Sequence, residues 1–200
     1  MPLFCESNRP AVVTGALLLF LALAWAAAIP ACAQSGALSP YQDKEDSISA
    51  GGKWTEFRSE DKMTGAKRFR FELRSGNDPR EESDYEPRVE LFCSGGKFQQ
   101  AYFDPGAGLG RPNRPGFWGQ PQMEVMVRID DTHDYHGWNW VRGRVLSMDK
   151  GTVRGLIGAK IFKVEVGTGH DQEIAEFSPA GLKLDRVKQA CGLTPKKPGK

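Results

Sequence analysis

The densest polar stretch of the chain is Asp130-Asp131-Thr132-His133-Asp134-Tyr135-His136. His133 and His136, joined by Asp130, Asp131 or Asp134, supply imidazole and carboxylate donors of the kind that hold Zn, Cu or Ni. A metal held there would activate water, so the chemistry on offer is metal-assisted hydrolysis. Two features weigh against it. His-x-x-His on a turn lacks the rigid helix that presents two imidazoles to one ion, and no third ligand stands at a regular spacing. His170 is 34 residues further on. The plainer reading is a solvated hairpin loop between two strands, with no catalytic residue, no metal and no cofactor.

Other reaction chemistry has less to stand on. No Gly-x-Ser-x-Gly nucleophile motif is present, and Ser59 or Ser94 with His133 is a pairing on paper only. Asp130 and Asp131 are adjacent, so in a strand they point to opposite faces and cannot share acid and base roles. Gly106-Ala107-Gly108-Leu109-Gly110 has the look of a phosphate loop, but Arg111-Pro112-Asn113 does not open the helix such a loop needs.

The aromatic residues give the better lead for binding. Tyr135, Trp138 and Trp140 lie within six residues, and Phe117-Trp118 sits in a Gly- and Pro-rich loop over 104–121. Trp and Tyr anchor binding surfaces and stack on sugars or partner side chains. The competing reading is core, since Trp138 and Trp140 share a face by alternation. Phe117 and Trp118 are either pegs that pack the loop down or contact residues. If the strand from Trp138 runs unbroken to Ser147, Arg142 and Arg144 join the Trp face. Two arginines do not belong in a core, so that strand would emerge to solvent, with a mixed Trp/Arg face suited to an acidic or glycan partner.

The elements that would position these residues read mostly at period two. Ala66–Ser75 alternates cleanly, with Phe69, Phe71 and Leu73 against Arg68, Arg70, Glu72 and Arg74. Val89, Leu91 and Cys93 share a face of Arg88–Ser94, and Gly95-Gly96 turns that strand into Phe98–Phe103. Met123, Val125, Val127 and Ile129 mark another strand, followed by a turn over 131–137. Strands are also expected over 53–59, 160–166 and 173–177. Thr152–Gly158 reads as a short helix, and Ser178 opens a closing helix over Pro179–Ala190 that Gly192 ends. The fold class expected is mostly β: an antiparallel β-sandwich or partly open barrel with a C-terminal helix and one disulfide.

Composition sets the compartment. The chain has 200 residues, 27 Lys plus Arg and 25 Asp plus Glu, for a net charge of +2. Three lysines fall in the last six residues, so the excess sits in a tail and not on a basic face, which argues against nucleic acid. Residues 1–33 read as a signal peptide: Arg9, an uncharged run from Ala11 to Ile29, then Ala31-Cys32-Ala33 before the cut. The rivals are an N-terminal membrane anchor and a lipoprotein. After cleavage no stable membrane span remains. Residues 34–52 are expected to be a flexible linker, 53–192 the β-rich domain and 193–200 a basic disordered tail. The two cysteines beyond the leader, Cys93 and Cys191, read as a disulfide in an exported protein. The rival is two free thiols, which no Cys-x-x-Cys spacing supports.

Several of these pieces, in order, are similar to a known family. They are Trp54 with Ser59, the Asp61-Lys62-Met63-Thr64-Gly65 turn, Pro87 through Cys93, Val125 through Asp130, Glu176-Phe177, Gly181-Leu182 and Cys191. The chain resembles the VasI/TagO-like accessory proteins associated with type VI secretion, and related envelope proteins of Gram-negative bacteria, over roughly 53–192. The 76–87 and 104–121 loops look individual to this chain. The resemblance implies an exported, mostly β domain, periplasmic or secreted, with no established catalytic residues. The expected function is a non-enzymatic binding or accessory module whose partner is an envelope protein or cell-wall glycan. The alternative is a metal-assisted hydrolase using the 130–136 cluster.

Overall fold

The computed structural model describes residues 46–77, 86–106, 111–166 and 173–196. The expected signal peptide, the linker up to residue 45, Ala107 through Gly110, His170 and the last four residues lie outside the described residues. No helix among the described residues is long and apolar enough to cross a membrane.

Alternation decides most of the chain. The strands are β1 (Asp46–Gly51), β2 (Trp54–Glu60), β3 (Lys67–Arg74), β4 (Arg88–Ser94), β5 (Lys97–Asp104), β6 (Arg114–Pro115), β7 (Pro121–Ile129), β8 (Thr132–Val141) and β9 (Val145–Ser147). Helix α1 (Lys150–Leu156) follows, then β10 (Phe162–Val166), β11 (Glu173–Phe177) and helix α2 (Leu184–Cys191). All pair antiparallel in one sheet, in the order β1-β2-β3-β4-β5-β9-β8-β7-β10-β11, with β6 added beside β7. The sheet does not close.

It curls instead, and the curl makes the core. Trp54, Phe71, Leu91, Phe103, Met123, Trp138 and Phe162, drawn from seven different strands, are each essentially inaccessible. The rings of Phe103 on β5 and Phe177 on the far edge strand β11 lie 6.1 Å apart, which no flat sheet in this strand order allows. Polar bonds bridge the open seam. Trp54 Nε1 donates to the Pro179 carbonyl at 2.9 Å, and the Lys183 amide to the Ala50 carbonyl at 2.9 Å. Asn77 Nδ2 donates to the Ile174 carbonyl at 2.8 Å. Gly51 and Gly52, both at positive φ, press on the backbone of 180–181, where an added Cβ would come within 2.2 Å and 2.1 Å of carbonyl oxygens. Of the two architectures expected, this is the partly open barrel.

Helix α2 is amphipathic and fills the mouth on the inner face. Val187, Ala190 and Cys191 are buried, and Cys191 is bonded to Cys93 of β4. With 98 residues between them, this cross-link contributes about 4–5 kcal/mol on the chain-entropy account. Glu56 faces the same interior and is 1% exposed. Burial alone would raise its pKa. Arg186 of α2 and Arg58, at 2.7 Å and 2.6 Å, outweigh that and hold the carboxyl below its ordinary range.

Four expectations need correction. The linker ends before Asp46, because 46–51 pairs with β2. That edge strand buries only Ala50, so its alternation is invisible in composition. The closing helix begins at Leu184, not Pro179, since 178–183 is spent sealing the seam. The tail is docked at its start: Leu193 is buried and the Lys196 amide donates to the Arg154 carbonyl at 2.8 Å. Finally, 132–136 is strand and 142–144 is turn, the reverse of the expected order, with consequences for the site.

Candidate binding surface at a hairpin apex

The 130–136 cluster is taken up by the fold. Asp130 stands at φ 50°, and its Oδ1 accepts the Lys160 and Ile161 amides at 2.8 Å and 2.9 Å. It caps the β7–β8 turn onto the chain entering β10. The turn is only Asp130-Asp131, so His133 and His136 both lie within β8. Three residues apart in a strand, they point to opposite faces, which is why they share no ligand position. His133 is exposed opposite Arg128. His136 turns inward, its Nδ1 3.0 Å from Asp149 Oδ2 and 3.2 Å from Thr152 Oγ1. Among the described residues no group of three His, Cys, Asp or Glu is placed to hold a metal ion. Ser59 and Ser94 flank Arg68 across β2, β3 and β4, several strands from His133.

Asp149, itself half-exposed, is the hub of this network. It caps α1 by accepting the Thr152 amide at 2.8 Å, and also accepts Thr152 Oγ1 and Trp138 Nε1 at 2.5 Å and 3.2 Å. Partial burial raises its pKa. Those three hydrogen bonds and the nearby His136 outweigh the burial and bring it below the ordinary aspartate value. These bonds satisfy α1's first turn and the indole of Trp138, so they are structural.

Trp138 is therefore core, 1% exposed, with its ring 6.0 Å from Phe103. Trp140 is partly buried against the same core. The face expected to run from Trp138 to Arg144 does not exist, because β8 ends at Val141. Arg142 at φ 53° and Gly143 at φ 67° form a tight turn into β9. Both positions need left-handed backbone, and only the glycine announces it in sequence. Arg144 is drawn to within 3.8 Å of the buried carboxylate of Asp104. Tyr135 is 62% exposed on the outer face, opposite Met126. Met126 stands five residues along β7 from Pro121, about 17 Å of strand, so Tyr135 and the 117–118 pair do not form one surface.

Of the aromatic residues expected as contact candidates, Phe117 and Trp118 stand furthest into solvent. They are 89% and 85% exposed, the most exposed aromatics among the described residues. The loop around them is a built hairpin. Arg114–Pro115 pairs with Pro121–Gln122. Gly116 donates to the Gln120 carbonyl at 2.8 Å, Gly119 to the Gly116 carbonyl at 2.9 Å, and the Trp118 amide to Gln120 Oε1 at 2.9 Å. Below the apex, Arg114 is ion-paired with Glu124 at 2.9 Å, and the Glu124 amide donates to Asn113 Oδ1. The two rings meet edge to face at 4.9 Å and 89°. They are held outward by backbone bonds and touch no core.

One concavity escaped the sequence reading. A cleft of about 790 Å³ opens between the ends of β2 and β3, the Gly95-Gly96 turn and α2. Arg58, Lys67, Arg68, Phe69, Arg186 and Gln189 are among its walls. It joins residues more than a hundred positions apart, so no local spacing could signal it. Three of its cations are already engaged, Arg58 and Arg186 by Glu56 and Arg68 by Asp61, and Asp46 and Glu60 share the rim. Its charge is balanced internally, which makes it a poorer lead than the apex. Comparison with family models, curated proteins and solved structures finds no match to this chain.

Proposed function

We propose that the chain is an exported, non-enzymatic envelope protein of a Gram-negative bacterium that acts as a binding or accessory module, with the 114–121 hairpin as its contact element. The observation that carries this reading is the exposure of Phe117 and Trp118 on a hairpin whose backbone holds them away from the core. A water-exposed aromatic pair is costly to leave unpaired, and patches of this kind mark contact sites. Export is supported by the leader-like first 33 residues and by the Cys93–Cys191 bond, which belongs to oxidising compartments. The resemblance to VasI/TagO-like proteins supports an association with a secretion apparatus or the cell wall.

The test is cross-linking of the tagged protein in its native envelope, with cross-linked residues mapped by mass spectrometry. Contacts are expected within 114–121 and are expected to disappear in Phe117→Ala/Trp118→Ala. Contacts mapping elsewhere and unchanged by the double variant would remove the apex from the reading. Recurrent secretion-apparatus proteins would support the accessory role; their absence would leave the wall or the membrane as the surface recognised.

A further inference from the structure

Resting on the apex being the contact element, we infer that its partner is an anionic lipid surface, into whose interface Phe117 and Trp118 insert. Three features of the apex favour a bilayer over a glycan or a protein pocket. The first is shape. The rings stand perpendicular, at 89°, at the tip of a convex two-stranded projection, so they offer no paired flat platform for a sugar and no groove for a peptide. The second is layering. Residues 115–121, Pro-Gly-Phe-Trp-Gly-Gln-Pro, carry no charge, and two exposed arginines come just behind: Arg111 on the segment that leads into β6 and Arg142 on the β8–β9 turn at the same end of the β7–β8 pair, while Arg114 and Arg144 are engaged by Glu124 and Asp104. An apolar tip backed by cations matches the order of acyl boundary and phosphate met on entering an anionic bilayer. The third is rigidity. The Gly116, Trp118 and Gly119 amides are already bonded, so insertion orders little further chain and leaves few backbone donors to desolvate.

Two aromatic side chains give reversible binding only, in the manner of a single lipid anchor. The reading therefore predicts partition that depends on both the rings and the negative lipid. Residues 40–200 form a compact unit holding the whole described core and the disulfide, so that unit can be tested without the apolar leader.

The experiment is co-sedimentation of the 40–200 unit with vesicles of phosphatidylglycerol in phosphatidylcholine and with phosphatidylcholine alone, paired with tryptophan quenching by acyl-brominated lipid. Trp118→Phe, which keeps an aromatic at the apex, isolates the emission of Trp118 by difference. Expected are binding to the anionic vesicles and quenching of the Trp118 share. Phe117→Ala/Trp118→Ala is expected to raise the lipid needed for half-binding on the order of tenfold or more. Arg142→Asn, a residue that accepts the left-handed turn, is expected to raise it about fivefold. Equal binding to both vesicle types, or Trp118 emission untouched by brominated lipid, would overturn the lipid assignment. If envelope cross-links from the apex to a protein persist in that case, the contact element stands and only its partner changes. If no apex contact of any kind is found, the reading beneath it fails as well.

Discussion

Two nearby stretches, 111–121 and 130–140, each carry aromatic and polar residues that invite a functional reading, and the fold treats them in opposite ways. In 130–140 the polar groups on the inner face and at the turn are taken up by the fold. Asp130 takes two amides of the β10 entry, His136 turns to Asp149, and Trp138 is sealed with its indole N–H on the same carboxylate. In 111–121 the backbone bonds are spent holding side chains out: Trp118 and Phe117 are exposed, and their rings meet edge to face. The difference teaches that a concentration of titratable residues is weak evidence of chemistry when it lies at a turn between two core strands. Such turns need carboxylates for their own amides. An aromatic pair that the fold does nothing to bury is the stronger signal.

The sharpest way to break the contrast is to truncate one tryptophan from each stretch. Trp138→Ala removes a fully buried ring from between Phe103 and the β7 face and leaves Asp149 one donor short. It is expected to cost about 3–5 kcal/mol, read as a fall in the urea midpoint. Trp118→Ala is expected to move that midpoint hardly at all. Comparable losses from both would mean that the apex packs onto the barrel, and the contrast would be wrong.

Asp130 tests the reading of the polar cluster as structural. Asp130→Ala deletes two hydrogen bonds and places an alanine at φ 50°, at an expected cost of about 1–3 kcal/mol. Asp130→Asn keeps the accepting oxygen and tolerates that backbone, so it should recover most of the loss. Added zinc should change neither variant's stability nor the wild type's. Stabilisation by zinc that Asp130→Asn abolishes would restore the metal reading.

What was legible in the sequence follows the same division. Strands whose inner face is wholly apolar were readable residue by residue: β3 by Phe69, Phe71 and Leu73, β4 by Val89, Leu91 and Cys93. The disulfide and the Gly192 helix stop were readable too. The errors arose where a strand carries polar residues on its inner parity. Asp134 and His136 face the same side as Trp138, and that broke the alternation of β8. They arose again where the left-handed turn residue is an arginine. The exposure of Phe117 and Trp118 was an even choice in the sequence, because a Gly- and Pro-rich loop can fold either way. Only the Gln120 bonds to the Gly116 and Trp118 backbone settle it. The cleft beside α2 could not be foreseen, since it depends on where a helix 130 positions from Glu56 comes to rest.

Asp149 extends the comparison to pH. Its folded pKa lies below the ordinary value, so the ionised form is preferred in the native state. The stabilisation this gives is present above the unfolded value, about 3.9, and is lost as pH falls through the lower folded value. As the cap of α1 it should be worth about 1 kcal/mol at neutral pH. Asp149→Asn keeps a capping oxygen but not the charge. The gap between wild type and Asp149→Asn in urea should therefore narrow as pH drops below about 4. A gap constant over that range would show that ionisation of the carboxyl contributes nothing.

The smallest stability effect carries the functional weight. Phe117→Ala/Trp118→Ala removes two rings whose neighbours are mainly water and each other, so the unfolding midpoint should shift by no more than about 0.5 kcal/mol. Gly116→Ala at the same apex should do more to the hairpin's shape, because a Cβ there would lie 2.6 Å from the Gln120 side chain that holds Trp118 in place. If contact with the envelope depends on rigid presentation, Gly116→Ala should weaken it with both rings intact. If the rings act merely as loose apolar mass, Gly116→Ala should bind as the wild type does. The pair of variants thus separates what the aromatic residues contribute from what their placement contributes.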